Sequence, residues 1–226
     1  MVGDLVSRRV DGLVLMPATH RQEYLLSEHR SGMPIVFVDR APRGIDADSV
    51  TVDNRAASRE AVEHLLSAGH RSIALLSDLT TIHTAVDRRH GYEEALRAAG
   101  VAHRTDLVAG DLRTPGDAQQ AVERMLDLPE PPTAVFATRN ELSVGAARAL
   151  RARGLRTRVA LLGFDDFPLA DMLEPALTVV RQNVGAIGGE VARVLFERLD
   201  GDRSDPRHVV VRHELVLRGS GEIRPG

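Results

Sequence analysis

The residues best placed to do chemistry in this sequence are planar and polar, and they fall just after short apolar runs. Asp165 and Asp166 stand side by side in GFDDF. Adjacent side chains point in different directions, so the two do not form a shared general acid–base pair. One can accept from a ligand while the other caps a turn. The same kind of position holds Pro17 to His20, Asp39 and Arg40, Asp53 and Asn54, Ser77 to Thr84, Thr138 to Asn140, and Arg181 to Asn183. Asp, Asn, Gln and Arg dominate this set, and such groups suit recognition of hydroxyls through paired hydrogen bonds. The chemistry of catalysis is not assembled. There is no GxSxG elbow, no GxGxxG after a strand, and no GxxxxGK[ST]. The nine histidines never fall into HExxH or another tight ligand spacing. His83 and His90 flank a possible pocket loop and read as ordinary polar residues. Cysteine is absent, which excludes disulfides, thiolate metal sites and cysteine nucleophiles. No nucleophile, base and orienting group come together, so neither an enzyme nor a cofactor or metal site is expected.

The elements that position these residues alternate. Strand-like runs are GLVLM (12–16), PIVFV (34–38), SVTV (49–52), SIALL (72–76), TAVFA (133–137), RVALLG (158–163) and LTVV (177–180). Each is nearly continuous in apolar character, as strands buried on both faces of a parallel sheet are. Between them lie helical stretches: 54–68 before Gly69, 91–99 before Gly100, and 141–153 before Gly154. Glycine there supplies the left-handed cap. In 184–200, Val184, Ile187, Val191, Leu195 and Leu199 form one apolar face. Strand–helix alternation predicts an α/β fold with parallel sheets flanked by helices. Seven strands in one sheet and two smaller sheets fit equally well. The tail HVVVRHELVLRGS (208–220) reads as strand along a sheet edge, and DGDRSDPR (200–207) as a surface linker. In such folds ligands bind at the carboxyl ends of strands.

The 226 residues can bury a core without staples, as one large domain or two small lobes. Hydrophobic residues make up 43% and charged residues 27%, which excludes disorder as a whole-chain reading. All 29 basic residues are arginine, set against 32 acidic ones, for a net charge of -3. That balance does not suit a self-sufficient DNA-binding module. Aromatics at 3%, without tryptophan, argue against a stacking platform for single strands. The start, MVGDLVSRRV, lacks the apolar core of a signal peptide, and no run approaches a membrane span. A cytoplasmic location without membrane contact is the expectation.

Seven segments occur in a telling order: VDGLVLMP, PIVFVDR, VDNRAASREAVEHLLSAGHRSIALLS, DRRHGYEEALRAAG, PPTAVFATRNELSVGAARALRARG, VALLGFDDFPLA and PALTVVRQ. Together they resemble the effector-binding core of the LacI/GalR family of bacterial transcription regulators, from about residue 10 to residue 219. The resemblance implies a two-lobed, periplasmic-binding-protein-like (type I) fold with a small molecule between the lobes. It places crossings near Asp53, near Phe167 and near Asp200–Arg207. The N-terminal lobe would comprise 1–53 with 167–200, and the C-terminal lobe 54–166 with 201–226. The family begins with a helix-turn-helix head, a hinge helix and a first β-α-β unit. This chain resembles a regulator from the second helix of the first lobe onward, with that lobe truncated and GLVLM at an exposed sheet edge.

The resemblance also implies ligand residues. Asp39, ending PIVFVD, accepts from a ligand hydroxyl. Arg88, in Arg88 to Tyr92, donates its fork to vicinal oxygens. Arg139 and Asn140 stand where the family usually has Asn-Asp, a departure that alters the local hydrogen bonding. Asp165 accepts, Gln182 reaches the cleft from the other lobe, and Thr84 is a weaker candidate. Tyr92 and Phe164 read as core. The function implied is an effector-sensing domain for a sugar or nucleoside-like molecule. Its lobe closure would alter the geometry of a homodimer and the DNA affinity of the intact protein, DNA being bound only through the head. A solute-binding protein for transport and, further off, a small-molecule enzyme are the alternatives.

Overall fold

The computed structural model describes residues 10–17 and 21–226. Ala18, Thr19 and His20, and the segment before residue 10 read above as a helix, lie outside the described residues. The chain divides into two compact units, which settles the choice between one sheet and two. Unit 1 comprises residues 1–53 and 183–212, and unit 2 comprises 54–182 and 213–226.

Unit 1 is built on four parallel strands: β1 (Leu13–Leu15), β2 (Ile35–Val38), β3 (Asp48–Val52) and β9 (His208–Val211), in the order β1-β2-β3-β9. Helix α1 (Leu26–Arg30) lies beside Leu13, Leu25, Ile35, Phe37 and Ile45 in one cluster. On a second cluster, helix α6 (Val184–Leu199) sets Val191 and Val194 against Val36 and Val50. The apolar face expected for α6 is buried only in its middle, since Val184 and Leu199 are exposed. Among the described residues β1 ends the sheet, with Val14 and Met16 exposed, as the edge reading expected. The first residue of β3, Asp48, is tied to α6 by a buried ion pair. Arg198 Nε and Nη2 donate to the two oxygens of Asp48 at 2.8 and 2.9 Å. Burial works to raise the Asp48 pKa, but the Arg198 fork and the Arg207 N–H outweigh it and hold the carboxyl below its usual range. The same guanidinium donates to the carbonyls of Ser204 and Asp205, which shapes the 200–207 loop.

Unit 2 has six strands. They are β4 (Ile73–Leu76), β5 (Val108–Ala109), β6 (Ala134–Ala137), β7 (Ala160–Phe164), β8 (Thr178–Gln182) and β10 (His213–Val216), in the order β10-β8-β7-β6-β4-β5. All pairings are parallel except β10 against β8. Helices α2 (Asn54–Ser67) and α3 (His83–Ala98) cover one face, and α4 (Pro115–Leu126) and α5 (Asn140–Ala152) the other. Residues of β4 alternate between the faces: Ile73 and Leu75 meet α2 and α3, while Ala74 and Leu76 meet α4 and α5. Both sides are covered, so β4, β6 and β7 are buried throughout and read as continuous apolar runs. Each helix pair closes on a glycine. A Cβ on Gly91 would stand 2.2 Å from the Arg55 carbonyl, and one on Gly145 would stand 2.2 Å from the Pro115 carbonyl. Tyr92 is core, as expected; its hydroxyl donates to the Ile73 carbonyl at 2.8 Å, and burial pushes its pKa upward.

Several readings differ from the structure. Helix α3 starts at His83, not near residue 91. Its first half buries Thr84, Ala85 and Arg88, so polar side chains hold the buried face and hide the apolar period. Helix α4 and strand β5 were not anticipated. Thr114 caps α4 by accepting from the Asp117 N–H at 3.1 Å, while Asp117 accepts from the Thr114 N–H at 2.9 Å, with Pro115 at the first turn. The tail is two strands, not one: β9 joins unit 1 and β10 joins unit 2. The chain first passes between units after Asp53. The second crossing lies between Gln182 and Asn183, not near Phe167, because β8 is hydrogen-bonded to β7 within unit 2. The third lies between Arg212 and His213, beyond the 200–207 loop.

Candidate functional site

At the carboxyl end of the unit 2 sheet, parallel strands bring distant residues to one edge. Phe164 ends β7 and Asp165 follows it, with a φ of +70°. Its N–H donates to the Val180 carbonyl of the neighbouring strand at 2.9 Å, which fixes this left-handed turn. Aspartate tolerates that conformation better than most side chains. One carboxylate oxygen accepts from Gln182 Nε2 at 2.6 Å. The other lies 3.6 Å from Nη1 of Arg88.

Arg88 comes from the second turn of α3 and is buried. Several groups hold it. Nε donates to Asn54 Oδ1 at 2.8 Å, and Nη1 donates to the Thr138 carbonyl at 2.7 Å. The guanidinium also stacks over the Phe164 ring, 3.7 Å from its centre. Arg88, Asp165 and Gln182 therefore meet as a group of one cation, one anion and one amide. Such a group can donate to and accept from hydroxyls without net charge. Thr84 lies one turn before Arg88 on the same buried face of α3.

Other expected site residues have other arrangements. Gln182 belongs to unit 2, the same unit as Arg88, and does not reach it from the other one. Arg139 joins three strand-end loops. It donates to Asp78 Oδ2 at 3.0 Å and to the Arg113 carbonyl at 2.8 Å, and pairs with Glu141 at 3.0 Å. Asn140 opens α5 and accepts from the Glu141 N–H at 2.7 Å. Asp166 is the capping member of its pair. It accepts both arms of Arg218, at 2.8 and 2.6 Å, and the Phe167 N–H at 3.0 Å. The Arg218 contact holds its carboxyl below the usual range. In unit 1, Asp39 follows β2 with a φ of +69°, its N–H bonded to the Val50 carbonyl at 3.0 Å and its carboxylate 3.4 Å from Arg40.

Sequence reasoning did not place Asn54 among the site residues, although it stood among the strand-end positions. A buried amide at the start of a helix was the available signal. Phe164 is core as expected, and it also seats Arg88, a role that residue type alone does not reveal. Among the described residues no group of His, Cys, Asp and Glu could hold a metal ion, and no helix is long and apolar enough to cross a membrane.

Two α/β units joined by three chain crossings, with polar side chains gathered at strand carboxyl ends, define a two-unit ligand-binding fold. Comparison with known proteins specifies it further. Residues 62–221 match the model of the periplasmic binding protein-like domain. The chain belongs to this family, and its relatives are LacI-family transcription regulators. The HTH-type transcriptional regulator CelR of Thermobifida fusca is 35% identical over 97% of this chain and 66% of its own length. The HTH-type transcriptional repressor CytR of Escherichia coli is 27% identical over 98% of this chain and 65% of its own. The chain thus spans about two thirds of these relatives. A regulatory protein of the LacI family from Chloroflexus aggregans superposes with a TM-score of 0.89 at 31% identity, over 97% of this chain and 80% of that one. The structure of a CelR–cellobiose complex superposes with a TM-score of 0.85 at 34% identity, over 96% of this chain and 68% of that one.

Proposed function

We propose that this chain is the ligand-sensing part of a bacterial transcription regulator, and that it binds a small uncharged polyhydroxylated effector, a sugar or nucleoside-like molecule. The observation that carries the reading is the meeting of Arg88, Asp165 and Gln182 at one sheet edge. The carboxylate takes hydroxyl protons, and the guanidinium and amide donate to ring or hydroxyl oxygens. Because the cation and the anion of the group balance, an uncharged ligand suits it better than a phosphorylated one. The relative solved with cellobiose supports a sugar as the first class to test. Asp39, at the same strand-end conformation, is proposed as a ligand acceptor of unit 1.

In the whole protein, we propose, occupancy alters DNA affinity, the protein acts as a cytoplasmic homodimer, and the ligand is released unchanged. The curated relatives are regulators and repressors, which favours a sensor over an enzyme or a transport protein. Calorimetric titration with cellobiose, glucose, ribose and a set of nucleosides tests the reading. Binding of one of them, weakened at least tenfold by Asp165→Asn and by Asp39→Asn, is the expected result. A ligand that binds with unchanged affinity to both variants would overturn the assignment.

A further inference from the structure

Two of the three places where the chain passes between units coincide with partners of the ligand group, and the third lies beside one of them in the sheet. Asn54, the first residue of unit 2, accepts from Arg88. Gln182, the last residue before the second crossing, donates to Asp165. His213, the first residue after the third crossing, faces Gln182 directly in the β8–β10 register. Its ring Nε2 lies 2.8 Å from Glu60 Oε2, on the same helix α2 that Asn54 opens. The contacts form one circuit: Asn54 to Arg88, Arg88 to Asp165, Asp165 to Gln182, across the ladder to His213, and through Glu60 back to α2.

We propose that Asn54, Gln182 and His213 are positioning residues that convert occupancy of the Arg88–Asp165 pair into a change in order at all three crossing segments. The inference rests on the reading of that pair as the ligand group. Its physical basis is the uneven quality of the contacts. The outer bonds, at 2.8 Å and 2.6 Å, are short. The central contact between Arg88 and Asp165, at 3.6 Å, is longer than a hydrogen bond. A ligand that accepts from Arg88 and donates to Asp165 acts on this loosest joint. Any resulting shift of either side chain passes through a short, charge-assisted bond to the residue beside a crossing. Asn54 is itself buried, so its amide cannot exchange Arg88 for bulk water without cost.

The test is hydrogen exchange by mass spectrometry on the whole chain without ligand. Asn54→Ala should raise exchange about tenfold at 181–185 and 211–214, far away in sequence, and Gln182→Leu should do the same at 53–56. Asn54→Asp, which keeps the acceptor, should restore wild-type protection at 181–185. Strand β6 should be unchanged in all three. A residue with only a local capping role would alter exchange beside itself alone, and that outcome overturns the proposal. A second arm adds cellobiose to the wild type. Slower exchange at all three crossings supports the coupling, and binding without that change overturns it. If cellobiose and the sugars and nucleosides above all fail to bind, the functional reading fails. The reciprocal effects of Asn54→Ala and Gln182→Leu still decide whether the circuit exists.

Discussion

Arg88 and Asp165 should separate cleanly when each is replaced, because their surroundings differ. Arg88→Ala removes a buried guanidinium and leaves two buried acceptors, Asn54 Oδ1 and the Thr138 carbonyl, without their donor. Each orphaned acceptor costs about 1–3 kcal/mol. Loss of the stack on Phe164 adds about 1 kcal/mol. Together these give about 3–7 kcal/mol, and relaxation around the site favours the lower part of that range, about 3–5 kcal/mol. Asp165→Asn is milder. The Asp165 side chain is 28% exposed and its ion pair is long, so the charge itself contributes on the order of 1 kcal/mol or less. Asparagine also tolerates the +70° backbone and can still accept from Gln182.

Urea unfolding followed by near-ultraviolet circular dichroism measures this in the relevant unit. The sequence has no tryptophan and two tyrosines, of which Tyr92 is buried in unit 2 and Tyr24 is exposed in unit 1. With a slope of about 2–3 kcal/mol per molar urea, Arg88→Ala should lower the midpoint by roughly 1–2 M. Asp165→Asn should lower it by less than about 0.5 M at the same slope. Both should weaken the ligand at least tenfold. A tolerated Arg88→Ala, or an Asp165→Asn as damaging as it, would refute the assignment of Arg88 as a buried, multiply held donor.

Three further outcomes follow from the same structure. Asp48→Ala should cost about 3–5 kcal/mol by stranding buried Arg198; the Asp48 pKa is lowered, so this pair stabilises above the usual carboxylate range and is lost as pH falls through it, which acid titration of unit 1 exchange will show. Burial lowers the pKa of His70, whose Nε2 lies 2.7 Å from the Ile223 carbonyl, so unit 2 should lose stability as pH falls from about 7 to 5, and His70→Gln should flatten that slope in thermal melts. Gly91→Ala and Gly145→Ala each drive a methyl into a backbone carbonyl and should destabilise by about 1–3 kcal/mol in urea titration, whereas Gly116→Ala, with only Thr114 Oγ1 near at 3.5 Å, should not.

The parts of the fold legible in the sequence were those where one physical signal dominates. Strands buried on both faces announce themselves as apolar runs, and glycine marks the ends of α2, α3 and α5. What stayed hidden was set by pairing partners distant in the chain. Nothing local in TVVRQ says that β8 ladders onto β7, and that single pairing moved the second crossing from near Phe167 to Gln182. The tail was hidden in the same way, since HVVV and HELV are equally strand-like and differ only in the sheet they join. In the site, Arg88, Asp165 and Gln182 were named through the family resemblance, and that Gln182 stands in the same unit as Arg88 was not legible, because it depends on the pairing of β8 with β7. Asn54 and the Phe164 stack were not legible either, because they are defined by what Arg88 needs once it is buried.

The two strand-end aspartates share a backbone conformation that bears on the proposed site. Asp39 and Asp165 follow β2 and β7 with φ values of +69° and +70°. In both, the N–H is held by a carbonyl of the adjacent strand, Val50 in one unit and Val180 in the other. A left-handed residue bearing a Cβ costs on the order of 1–3 kcal/mol. Glycine would remove that cost, and this chain places glycine at other positive-φ positions such as Gly69, Gly100 and Gly154. What glycine cannot supply is an acceptor at the carboxyl edge. Asp165 uses its acceptor to face Gln182 and Arg88, and Asp39 has the same backbone means to present one beside Arg40. Strain retained at the same strand-end turn in both units supports the proposal that the carboxylates are used there.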